Sequence, residues 1–191
     1  MLDIVFSRSS FHVEGRHVHQ EDPGMGSLSV SHEISKHNPL DIVERLIEFN
    51  EWQFDRRSDE EIAVQVPGSW CDYSLFFAWS DEMEAMHFTC AFDMRVAPDH
   101  LTRAYELLAL VNEKMWLGHF GVWADEGLPM FRATLPLRGK HELSLEQTED
   151  LVETAILECE RFYPAFQYVI WGGKSAREAI DAAMIDTVGE A

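Results

Sequence analysis

"EAMHFTCAFDMRV", residues 84–96, decides the fold. Met86, Phe88, Cys90, Phe92, Met94 and Val96 share one parity, while His87, Thr89, Asp93 and Arg95 share the other. Successive side chains of an extended chain point to opposite sides, so a period of two held this long describes a β-strand with one buried face. Wound as a helix, the same residues would scatter their apolar groups around the axis.

The neighbouring runs repeat the pattern. In "WCDYSLFFAWS" (70–80), Cys71, Tyr73, Leu75, Phe77 and Trp79 fall on one face, and the short polar turn "SDEME" (80–84) predicts an antiparallel hairpin with the next strand. Ile62, Val64 and Val66 alternate in "EEIAVQVPG" (60–68), and "WQFDRRS" (52–58) reads as a short first strand. Downstream, "HFGVWAD" (119–125) and "PMFRATLPL" (129–137) are two more strands joined at "EGLP", with Phe131, Ala133, Leu135 and Leu137 on one face of the second.

Between and around the strands the period changes to that of a helix. In "HNPLDIVERLIEFNEW" (37–52), Asn38 is an N-cap type, Pro39 suits a first helical position, and Leu40, Val43, Leu46 and Ile47 form a stripe. "APDHLTRAYELLALVNEKMW" (97–116) carries Leu101, Ala104, Leu108, Val111 and Met115 at helical spacing and is expected to end at Gly118. A long helix opens at Ser144 with Gln147 three places on, the spacing of a capping box. Its apolar face is Leu151, Val152, Ala155, Ile156, Cys159, Phe162, Tyr163 and Phe166; Pro164 is expected to kink it near Glu160, because proline has no N–H for that carbonyl. A last short helix begins at Ser175. The predicted class is α+β: an antiparallel sheet of about five strands with helices packed on it, in the order α-β-β-β-α-β-β-α.

Composition bounds the rest. The 191 residues are 46% hydrophobic and 12% aromatic, enough for a sizeable core. Residues 1–36 read as a mobile arm rich in histidine (His12, His17, His19, His32, and His37 just beyond), with a short strand at Leu2 to Phe6; the domain proper is 37–188. The N-terminus lacks a basic cluster followed by an apolar stretch, and no apolar run is long enough to span a bilayer, so the expected location is cytoplasmic. Three scattered cysteines, Cys71, Cys90 and Cys159, suit reduced, buried thiols rather than a disulfide framework. The net charge of -19 repels phosphate backbones and anionic lipid, which argues against nucleic-acid or membrane partners.

Five features of the sequence are candidates to carry chemistry. Gly173-Lys174-Ser175 resembles the end of a phosphate-binding loop, but the first glycine of that motif would stand at 168, which is Tyr168. The plainer reading is a helix stop at Gly172-Gly173 and a helix start at Ser175, with Lys174 an ordinary surface residue. His12, His17 and His19 offer imidazoles to a metal, yet without acidic or cysteine ligands at fixed spacing they read as a solvated tail. His87, Asp93 and Arg95 either line a ligand groove or form cross-strand ion pairs on a solvated face. "GSW" (68–70) is a turn, not a nucleophile elbow. The six tryptophans, Trp52, Trp70, Trp79, Trp116, Trp123 and Trp171, are expected mostly in the core, with some free to mark a partner site or dimer interface. No catalytic, cofactor-binding or metal-binding residue is assigned; His87 or His119 beside a carboxylate in a deep pocket would reopen an enzymatic reading.

"ERFYPAFQYVIWGGKSAREAIDAAM" (160–184), "NPLDIVERLIEFNEWQFDR" (38–56) and "VNEKMWLGHFGVW" (111–123) resemble segments of the YbjN-domain family, described as bacterial sensory transduction regulators. The resemblance covers about residues 38–185, chiefly through the Tyr-Pro block that ends in Trp-Gly-Gly-Lys-Ser. It implies a fold similar to type III secretion chaperones and no catalytic residues. The expected function is a non-enzymatic protein-binding module, chaperone-like or regulatory and able to dimerise. The alternative is a small-ligand sensor with its site between the sheet and the kinked helix.

Overall fold

The computed structural model describes residues 38–139 and 143–188, with side chains described to Met184. The predicted histidine arm and the strand at Leu2 to Phe6 lie outside the described residues. The elements in chain order are α1 (Leu40–Phe49), β1 (Gln53–Ser58), β2 (Glu61–Pro67), β3 (Asp72–Ser80), β4 (Ala85–Ala91), a 3-10 turn (Pro98–His100) running into α2 (Leu101–Asn112), β5 (His119–Trp123), β6 (Leu128–Pro136), α3 (Leu145–Ile170) and α4 (Ala176–Val188). This is the expected α+β arrangement with one strand more than the tally, since four strands precede α2.

All six strands form one antiparallel sheet in the order β1-β2-β3-β4-β6-β5. The register follows the hydrophobic parity. Ile62 faces Phe77 and Val64 faces Leu75 across β2–β3; Leu75 faces Cys90 and Phe77 faces Phe88 across β3–β4. Cys90 then faces Phe131, and Phe131 faces Phe120. A slip of one residue anywhere would turn these side chains out of the core, so the pattern pins the pairing. The alternation persists past the end of β4: Phe92, Met94 and Val96 stay buried, while their backbone bonds to the start of β6 and the β5–β6 turn through Phe92 N–H to Pro129 O and Val96 N–H to Gly127 O.

Helices cover that apolar face. Leu40, Val43, Leu46 and Ile47 of α1 are all buried, as their spacing predicts. Asn38 Oδ1 accepts from the Leu40 N–H at 3.0 Å, so the asparagine caps the helix from two residues out and Pro39 occupies the cap position. On α2 the stripe is rotated slightly from expectation: Ala104, Leu107 and Val111 are buried and Leu108 only half so. The helix ends at Asn112 rather than at Gly118, because the Asn112 side chain leaves the helix to bracket Phe120, accepting its N–H at 2.7 Å and donating to its carbonyl at 3.0 Å. Gly118 serves the strand instead: its φ of +65° favours glycine, and a Cβ there would overlap the Phe131 ring. The Ser144–Gln147 capping box opens α3 as predicted. Between α3 and the sheet, Phe92 meets Phe166 at 5.2 Å and Tyr163 at 5.6 Å, and Phe120 meets Phe162 at 5.8 Å. Each such buried ring contributes about 1.5–3 kcal/mol of transfer free energy.

Candidate ligand face of the sheet and the clamp on helix α3

The opposite parity faces away from the helices. It brings together residues from four strands: Phe76 and Ala78 of β3, His87, Thr89 and Ala91 of β4, Met130, Arg132 and Thr134 of β6, and His119 and Gly121 of β5. Cross-strand pairing sets His87 opposite Thr134 and Ala78, Thr89 opposite Arg132 and Phe76, and Arg132 opposite His119. Ala91 and Met130 on this face are buried yet stand apart from the main core.

His87 organises the polar part. Its Nδ1 lies 2.9 Å from Thr134 Oγ1, and its Nε2 receives Arg132 at 3.1 Å from Nη2 and 3.4 Å from Nε. A guanidinium has only donors, so Nε2 must be the acceptor and Nδ1 carries the proton toward Thr134. The same arrangement holds the imidazole neutral: burial, then the Arg132 charge, then His119, push its pKa from the ordinary 6.5 down to about 4. The Arg132 stem passes beside Gly121, where a Cβ would sit 3.9 Å from Arg132 Cδ, an ordinary contact. No ion pair to Arg132 is found among the described residues.

Of the three residues singled out on this strand, only His87 reaches the cluster. Asp93 and Arg95 follow the end of β4, and Arg95 is taken by Glu126 at 2.9 Å in the β5–β6 turn. Neither His87 nor His119 has a hydrogen bond or ion pair to a carboxylate among the described residues. Arg132, which the sequence reading passed over, is the central charge. Its signal was its parity, opposite Phe131 and Ala133, but the β4–β6 pairing that places it beside His87 spans a helix and a strand.

A second arrangement joins the β2–β3 turn to α3. Pro164 is buried inside α3 and has no N–H, so the Glu160 carbonyl loses its helical donor. Trp70 supplies one: its indole Nε1–H donates to Glu160 O at 3.1 Å, while the ring stacks on Tyr163 at 6.1 Å and 10°. The Glu160 side chain accepts the Ser69 N–H at 2.6 Å. Gly68 admits this approach, because a Cβ would overlap both the Tyr73 ring and the Glu160 carboxylate. "GSW" is thus a turn, and one that grips the helix at its proline.

The remaining candidates resolve plainly. Gly172 and Gly173, the latter with φ +64°, stop α3, and Ser175 and Glu178 exchange hydrogen bonds at the start of α4. The Gly-Lys-Ser run therefore follows a helix, and exposed Lys174 lies 4.2 Å over the Tyr168 ring. Cys90 and Cys159 are buried free thiols with sulfurs 3.6 Å apart; burial pushes the Cys159 thiol up. The tryptophans correct the expectation that most are core: all six lie outside the fully buried set, with Trp116 99% and Trp171 62% exposed. Phenylalanine fills the core, and several of the tryptophans stand at strand ends and turns. The rings between the sheet and α3 also occupy the space where a ligand had been expected.

No helix among the described residues is long and apolar enough to cross a membrane. A family model named YbjN, described as "Putative bacterial sensory transduction regulator", matches residues 39–168. The matched span includes Tyr163-Pro164 but stops short of Trp171 to Ser175, the end of the block that chiefly carries the resemblance. A search of curated proteins finds no match. Among solved structures, YbjN from E. coli, described as a putative transcription regulator, aligns at 14% identity and a TM-score of 0.42, over 63% of this chain and 90% of that one.

Proposed function

The chain belongs to the YbjN family, and on that footing we propose that it is a non-enzymatic regulatory module that acts by binding a protein partner. The observation that carries this reading is Trp116 and Leu117, 99% and 55% exposed, side by side in the α2–β5 turn. A large ring held in water gains little for the fold but much at an interface, where tryptophan is a common anchor. The charge of -19 favours a basic partner surface, or, in a chaperone-like role, a basic client segment. Self-association through the same turn brings two strongly acidic chains together and is the less favoured use.

The test is cross-linked capture from cells of origin with wild type and Trp116→Ser in parallel. A defined partner recovered with wild type and lost with the variant supports the reading. No partner, or equal recovery with both, overturns it; light scattering shows whether the captured partner is a second copy.

A small-ligand sensor is the second reading, and Arg132 favours it. Its site is the sheet face away from the helices, not the ring-filled space under α3.

A further inference from the structure

We propose that the exposed face of α3 pairs antiparallel with the same face of a second copy of this chain, so that the acidic end of each helix meets the cationic end of the other. This interface goes beyond the partner reading built on Trp116 and does not depend on it.

Three observations carry it. First, the outer face of α3 is open to solvent and divided by charge. Glu146, Glu149, Asp150, Glu153, Leu157 and Trp171 recur at helical spacing on one side, and all are exposed, while the other side is buried. The four acids fill the first half, and none has an ion pair among the described residues. At the far end, Lys174 sits 4.2 Å over the Tyr168 ring, and Arg103 of α2 reaches the same turn, where a Cβ on Gly173 would lie 3.9 Å from its Nη1. Both cations are exposed and have no ion pair among the described residues; the nearby Glu178 is held by Ser175. Second, apolar side chains join the two ends. Leu157 is 68% exposed, Trp70 is 46% exposed and meets the helix at the Glu160 carbonyl, and Trp171 closes the line. At 1.5 Å per residue, Leu157 and Trp171 stand about 21 Å apart. An exposed apolar line of that length marks an interface. Third, the polarity is self-complementary. A two-fold axis midway between Asp150 and Lys174 sets Asp150 and Glu153 of each copy opposite the cationic turn of the other. A basic partner would leave Lys174 and Arg103 facing cations, and an acidic one would repel the four acids, so a second copy is the occupant that satisfies both ends. The overall charge of -19 opposes self-association, and this divided face offsets it locally. The 26-residue helix is about 39 Å long and offers a strip about 10 Å wide, on the order of 400 Å² from each copy, which sets a weak dimer with a Kd on the order of 10 µM.

The experiment is sedimentation velocity on the full chain from about 1 to 200 µM, where a monomer–dimer equilibrium of that strength is read directly. Wild type is expected to pass from monomer to dimer across the range. One variant reverses the acidic end with Asp150→Lys and Glu153→Lys; another reverses the cationic end with Arg103→Glu and Lys174→Glu. Each alone is expected to weaken the dimer about tenfold or more, even though the first makes the chain less negative. Mixed in equal amounts, the two are expected to recover a dimer within about threefold of wild type, because each end then meets its opposite. Leu157→Ser is expected to weaken the dimer about threefold or more, and serves if circular dichroism shows that a charge variant does not fold. A wild type that stays monomeric, variants that dimerise like wild type, or a mixture that stays monomeric overturns the interface. Trp116→Ser should leave the dimer unchanged. A dimer lost with that substitution and kept by the charge variants overturns the α3 face and moves self-association to the α2–β5 turn, while failure of every dimer leaves the Trp116 partner reading to its own capture test.

Discussion

Replacing Trp70 by phenylalanine keeps the ring over Tyr163 and deletes one hydrogen bond, the indole N–H to Glu160 O. In an ordinary helix that carbonyl would still be served by the residue four places on, but here that residue is Pro164. The loss is therefore the net worth of one hydrogen bond, about 0.5–1.5 kcal/mol. Water reaches this exposed turn, so we expect about 1 kcal/mol, or roughly 2–4 °C in Tm. Pro164→Ala changes the terms. It restores an N–H to Glu160 O and removes a helix-interior proline, worth about 3 kcal/mol in isolation, against about 1–2 kcal/mol for the buried ring atoms lost. With an intrahelical donor in place, Trp70→Phe should cost less in the Pro164→Ala background. The double-mutant cycle should then show coupling of about 0.5–1 kcal/mol. Urea titrations followed by far-UV circular dichroism measure all four proteins without relying on tryptophan emission. Additivity within about 0.3 kcal/mol would refute the argument, because it would mean that Trp70 and Pro164 do not share the Glu160 carbonyl.

Three further outcomes follow from the same structure. Gly68→Ala drives a methyl into the Tyr73 ring and the Glu160 carboxylate; it should destabilise by about 2–3 kcal/mol in the same assay, more than Trp70→Phe, and a neutral result would dispute the close approach of the turn. His87 is held neutral by burial, Arg132 and His119, so the unfolded chain takes up its proton first on acidification, near pH 6.5, and the folded chain only near pH 4. Stability is thus present above pH 6.5 and falls by about 1–2 kcal/mol across that window, after discounting for a half-buried site; His87→Gln should flatten this part of the profile. With a disulfide-exchange reagent, half-buried Cys71 should react slowly in the native protein while Cys90 and Cys159 stay silent; all three should react after unfolding. Fast native labelling of two or more thiols would contradict the packing.

Much of the fold was legible because it is written in local periods. The parity of residues 86 to 96, the stripe of α1 and the capping box at Ser144 each describe neighbours within one element, and each appears as read. What the sequence hid lies across elements. The placement of Arg132 beside His87 depends on β4 skipping the intervening α2 and β5 to pair with β6. The exit of α2 depends on Asn112 turning from the helix to the Phe120 backbone, a contact no helical pattern announces. The tryptophans were misplaced for a related reason. Size and hydrophobicity make them look like core, but the parity and stripe positions that fill this interior are held mostly by phenylalanine and aliphatic residues, which leaves the tryptophans at the margins.

The Tyr163-Pro164 pair and the Gly68-Ser69-Trp70 turn explain one another. Alone, a proline twenty residues into a 26-residue helix is a defect, and a glycine followed by a half-exposed tryptophan is an unremarked turn. Together they form a joint: the proline releases a carbonyl, the tryptophan occupies it, the glycine allows the turn to come close, and Glu160 secures the turn by its side chain as well as its backbone. Because the turn connects β2 to β3, the joint ties one end of the sheet to the middle of α3 by directional bonds. Apolar packing alone would leave the helix freer to slide along the sheet. The joint should therefore govern how rigidly α3 sits more than how strongly it is held. That distinguishes it from the core rings, whose loss would cost stability without selecting a register.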